Sequence, residues 1–96
     1  MIFNNSFSYK RNPFPSGGHP VSVIANFASD GRFKPIYFKY YDAECGYQTF
    51  KIDAVHYTRN KTDSILFCCS ITLNNMKQEI NLVYKLSECT WTLETP

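Results

Sequence analysis

Histidine is scarce in this sequence: of 96 residues only His19 and His56 carry an imidazole. That leaves few bases to activate a nucleophile, and catalysis by a serine, cysteine or threonine needs one within hydrogen-bond reach. No C-x-x-C pair occurs among the four cysteines, so neither a zinc ribbon nor a thiol redox motif is indicated. No run approaches the ~18 apolar residues of a membrane-spanning helix. The N-terminus lacks the apolar stretch of a secretory signal, which makes the cytoplasm the expected location. No window repeats apolar residues at helical spacing, and there is no internal repeat. Catalytic residues, cofactor and metal are accordingly all expected to be none, and the expectation is a protein that is not an enzyme.

Aromatic residues are abundant: eight Phe, seven Tyr and one Trp. Together with Val, Ile and Thr they favour strands, because branched and flat side chains suit a pleated surface. The net charge of +2 has an uneven origin. Lys10 and Arg11 lie in a segment without acids, whereas residues 20–96 carry eight basic and eight acidic side chains. Residues 1–19 form an N-terminal aromatic and basic arm, broken by Pro13, Pro15 and Ser16-Gly17-Gly18. Residues 20–96 form a single all-β domain.

The domain is organised around a hairpin over residues 20–41, turning at Asp30-Gly31. Asp-Gly between two strand-like runs predicts a two-residue type I′ turn, which needs positive φ at both central positions. That register sets Ala25 opposite Ile36, Val23 opposite Phe38 and Val21 opposite Tyr40, leaving Ile24, Tyr37 and Lys39 on the other face. The pattern fails once, where Phe27 meets Lys34. A loop at Glu44-Cys45-Gly46 pairs Tyr40 with Phe50 and Phe38 with Ile52. The third strand, residues 47–58, changes parity between Ile52 and Val55, which calls for a bulge near Asp53-Ala54 and turns Val55 and Tyr57 inward. Further turns pair Ile71 with Ile80, Cys69 with Leu82, Phe67 with Tyr84 and Leu86 with Trp91.

These registers assemble one apolar face. The predicted fold is an antiparallel meander of about six strands, curled into a small SH3-like or OB-like barrel. An open sheet covered by the arm is the rival. All four cysteines read as free thiols, with Cys68 and Cys69 on opposite faces and Cys45 and Cys89 in turns.

Two surfaces suggest binding. Tyr37, Lys39 and Tyr41 alternate outward on the second strand, with Thr49 and Lys51 opposite and Asp53 across from Tyr37. Tyrosine enrichment suits protein interfaces, and aromatics interleaved with lysines suit single-stranded nucleic acid, where bases stack and lysines follow phosphates. Leu66, Cys68 and Val83 form an outward apolar patch, to be covered by Phe3 or Phe7 of the arm, by a partner, or by a second copy. The partner-binding candidates are Tyr37, Lys39, Tyr41, Lys51, Leu66 and Val83. The expected function is a non-enzymatic module that binds a protein, blocking or tethering a larger machine. A nucleic-acid-binding barrel is the alternative.

Overall fold

The computed structural model describes Phe14 and residues 17–95. These residues are all-β: β1 His19–Phe27, β2 Phe33–Asp42, β3 Gly46–Lys51, β4 Ala54–Asn60, β5 Ser64–Leu73, β6 Met76–Lys85 and β7 Thr90–Glu94. They form one seven-stranded antiparallel sheet in the order β3-β2-β1-β7-β6-β5-β4, curled into a half-barrel. β1 serves both halves. Its residues His19, Pro20 and Val21 pair with β7, and Ser22 onward pairs with β2. β1 begins at His19, and Phe14 of the expected arm is buried in the core.

The first hairpin differs from expectation at its tip. Ser22↔Lys39, Val23↔Phe38 and Ile24↔Tyr37 pair as predicted, but Ala25 faces Pro35, Asn26 faces Lys34 and Phe27 faces Phe33. Ile36 has become the extra residue of a bulge. The turn is not type I′, because Gly31 (φ 93) takes positive φ and Asp30 does not. The loop instead holds Ser29, Asp30 and Gly31. The Gly31 amide donates to the Ala28 carbonyl at 3.0 Å, and the Ala28 amide donates to the Arg32 carbonyl at 2.7 Å. Asp30 stabilises this form by accepting the Arg32 amide at 3.1 Å. The extra loop residue and the bulge cancel, so the distant half of the register is unchanged. They also remove the one mismatch, since Phe27 now stacks on Phe33 at 4.8 Å. Pro35, which has no amide to donate, sits beside the bulge where a ladder bond is already interrupted.

Three later hairpins slip by two residues from their predicted pairing. Phe38 pairs with Phe50 and Tyr40 with Gln48. Cys69 pairs with Ile80 and Phe67 with Leu82. Tyr84, not Leu86, pairs with Trp91. A slip of two keeps every side chain on its face, so the core is nearly the predicted one. The β5–β6 connection is the tight turn, with Asn74 (φ 51) and Asn75 (φ 65) both in the left-handed region. Type I′ geometry belongs to this Asn-Asn pair, because asparagine tolerates positive φ. Leu86 is the exception in the core: it lies in the following turn and is 45% exposed.

The expected third strand breaks in two, which is why seven strands replace about six. The Ile52 amide still donates to Ile36 of β2 at 2.8 Å, while the next amide, Asp53, donates to Ser70 of β5 at 2.8 Å. At this corner the chain changes partners, from one edge of the sheet to the other. Asp53 secures it, accepting the Thr72 hydroxyl at 2.6 Å and the Lys77 ammonium at 3.4 Å. The bulge falls later than the predicted Asp53-Ala54, at His56. Tyr57 therefore points outward, opposite Cys68, and is 49% exposed rather than inward.

The concave side holds the core: Phe38, Phe67, Cys69, Ile71, Ile80, Leu82 and Leu93 are buried. Complete burial of a Leu, Ile or Phe contributes roughly 1.5–3 kcal/mol, so this set supplies much of the drive to fold. Phe14 closes one end, with its ring edge-on to Tyr40 at 5.0 Å and to Phe50 at 5.5 Å.

Candidate functional site

Strand alternation puts Tyr37, Lys39 and Tyr41 of β2 on the convex side, and β3 adds Tyr47, Thr49 and Lys51. The pairing sets Lys51 opposite Tyr37, Thr49 opposite Lys39 and Tyr47 opposite Tyr41. Asp53 does not sit across from Tyr37 as expected: the two-residue slip puts Lys51 there, and Asp53 lies at the corner with Thr72 and Lys77. The outward strand positions of β1, β2 and β3 thus carry lysines and no carboxylate.

Among the described residues, four of the eight exposed large hydrophobic side chains lie on this face, Tyr37 among them. Ile24 is 64% exposed, Tyr41 58% and Tyr47 70%. The Tyr41 and Tyr47 rings meet edge-on at 5.0 Å, and the Lys39 ammonium lies 5.7 Å from the Tyr47 ring centre. An ammonium at that range is attracted by the ring face. A shallow hollow of about 290 Å³ lies between Ser22, Ile24, Tyr37, Lys39 and Thr49. Another of about 230 Å³ continues past Lys39 to Pro20, Tyr41 and Tyr47. Tyr47 was absent from the candidates drawn from sequence. Its alternation with Thr49 and Lys51 was the available signal, but the assumed register set it opposite Ala43 rather than Tyr41.

The other two candidates are not part of this surface. Leu66 and Val83 pair with each other across β5 and β6, and with Cys68 they form a second buried cluster on the convex side. Their relative exposures of 9%, with 7% for Cys68, leave no open apolar patch there. The covering role expected for Phe3 and Phe7 falls outside the described residues, as do Lys10 and Arg11. Ser70 is also buried.

His56 occupies the bulge and is exposed, and Tyr57 instead stands opposite Cys68. A hydrogen bond with Cys68 raises the Tyr57 pKa above its ordinary value. Burial pushes the Cys69 thiol up to about 12, which keeps it protonated and inert at neutral pH. Cys68 and Cys69 are buried, while Cys45 and Cys89 are exposed, and all four are free. Among the described residues no cluster of three or more His, Cys, Asp or Glu could hold a metal ion. No helix among them is long and apolar enough to cross a membrane.

No family model matches this chain, and neither a curated protein nor a solved structure matches it.

Proposed function

We propose that this protein is a non-enzymatic binding module of the cytoplasm that engages a protein partner through the convex face of β1, β2 and β3. The observation that carries the reading is the grouping of Ile24, Tyr41 and Tyr47, each more than half exposed, around one pair of hollows. Tyrosines supply large, stiff contact area with a polar tip, and they are enriched where proteins meet. A partner held there would block or tether a larger assembly.

Single-stranded nucleic acid is the second reading. It is favoured by Lys39 and Lys51 standing among the tyrosines on a face whose outward strand positions lack carboxylates.

Immobilised protein, incubated with nuclease-treated and untreated host lysate, tests both. Tyr41→Ala and Tyr47→Ala should each abolish capture, while Leu86→Ala, an exposed change outside the face, should leave it intact. Capture indifferent to both tyrosines would overturn the reading. Capture that disappears after nuclease treatment would move it to nucleic acid.

A further inference from the structure

β3 ends the sheet. Among the described residues no strand pairs with its far side, and the same holds for β4 at the opposite end of the order. An unpaired strand presents a row of amides and carbonyls that can bind another extended chain. The two edges are not equal. β4 is interrupted by the His56 bulge, and its Thr58 and Asn60 look across a gap of about 460 Å³ to Gly31, Arg32 and Phe33 at the hairpin tip. A bulge and a facing obstacle blunt an edge. β3 has neither proline nor bulge, and it makes six consecutive pairs with β2 from Lys51 to Gly46.

The side chains of β3 are half-satisfied in a matching way. Gln48 and Phe50 point to the concave side and are only partly buried, whereas Tyr47, Thr49 and Lys51 are exposed on the convex side. Phe50 already packs on Phe38 at 5.1 Å and on Phe14 at 5.5 Å. An apolar side chain from an added strand would extend that packing. On the convex side an added strand meets Lys51, with Lys39 one strand further in, and no carboxylate at outward strand positions.

From this we infer that β3 is a docking edge for an extended acidic peptide, one in which apolar residues alternate with Glu or Asp. The peptide adds as an eighth strand, its apolar residues beside Phe50 and its carboxylates beside Lys51 and Lys39. Main-chain bonds supply affinity and the alternating pattern supplies specificity, as in other strand-addition complexes. The inference rests on the convex face being the working surface and specifies the chemistry of what reaches it.

The test uses the full chain and labelled, end-capped peptides in fluorescence anisotropy. A six-residue peptide of alternating Val and Glu should bind, and alternating Val and Lys should not. The same Val/Glu peptide N-methylated at alternate residues should bind roughly tenfold or more weakly, because it loses main-chain donors. This control leaves the protein untouched, so misfolding of a variant cannot imitate it. Lys51→Glu should weaken binding about fivefold, the scale of an exposed ion pair. Slower amide exchange at residues 47–51 on saturation with Val/Glu peptide should mark the edge. Equal affinity for the N-methylated peptide would overturn strand addition, and equal affinity for Val/Lys would overturn the acidic assignment. Preference for a labelled oligo-dT over the Val/Glu peptide, or concentration-dependent dimerisation that protects residues 47–51 without peptide, would put another occupant there and overturn it too. Should these fail while lysate capture still depends on Tyr41 and Tyr47, the edge inference falls and the convex-face reading stands.

Discussion

The indole of Trp91 lies 5.5 Å from the Phe67 ring, tilted by 36°, although the two residues belong to strands that are not neighbours. Tyr84, on the strand between β5 and β7, meets the indole at 5.0 Å, and Phe33 closes from β2 at 5.5 Å from Phe67. Four strands thus converge on one aromatic cluster. Phe67 is 2% exposed, so Phe67→Ala should cost about 3–5 kcal/mol, measured by chemical denaturation. Leu86→Ala is the control, and at 45% exposure it should stay within about 1 kcal/mol. Comparable losses in the two variants would contradict the observed β6–β7 register.

Turn chemistry makes a second, oppositely signed pair of predictions. Asn75 holds φ 65, a conformation that costs glycine nothing, so Asn75→Gly should raise stability by a few tenths to about 1 kcal/mol. Gly31 holds φ 93 with open space around it, and Gly31→Val should lower stability by about 1–2 kcal/mol through backbone strain alone. Thermal melts of both variants check the signs. A neutral Gly31→Val would mean that the tip does not adopt the Ser29–Gly31 loop.

The corner at Asp53 should respond to acid. The hydrogen bond from Thr72, reinforced by Lys77, lowers the Asp53 pKa below its ordinary 3.8. A lowered folded-state pKa means that the carboxylate contributes stability above the unfolded value and loses it as pH falls through the folded one. Asp53→Asn should therefore melt below the parent at pH 7, and the two should converge below about pH 3.8, the ordinary value. A difference in melting temperature that is constant from pH 7 to pH 2 would show that the carboxylate's charge is irrelevant to the corner.

Thiol reactivity should divide the cysteines by burial. Cys45 and Cys89 are exposed, whereas Cys68 and Cys69 are enclosed on opposite faces of β5. A disulfide-exchange reagent at pH 8 should titrate two thiols quickly in the native protein and four after denaturation. Rapid native labelling of Cys69 by peptide mapping would contradict its burial, since its thiol is held protonated up to about 12.

Sequence alone was sufficient for the class of fold, for most of the core and for the outward set Ile24, Tyr37, Lys39 and Tyr41. The reason is that strand side chains alternate with period two, so alternation survives a slip of two residues in the pairing. Phe38, Phe67, Ile71 and Leu82 remained on the concave side although each of them exchanged a predicted partner. What alternation cannot specify is how many residues each turn consumes. Asp-Gly and Asn-Asn both fit type I′ turns, and only the second adopted one, because the Ile36 bulge lets the first hairpin place Phe27 on Phe33. The partner change at Ile52 and Asp53 is likewise a property of the assembled sheet. Its amides find β2 and β5 only once the half-barrel has curled, and the shift of the bulge to His56 then turned Tyr57 outward. The edge position of β3 among the described residues follows from strand order, which involves residues far apart in the chain and which no local pattern encodes.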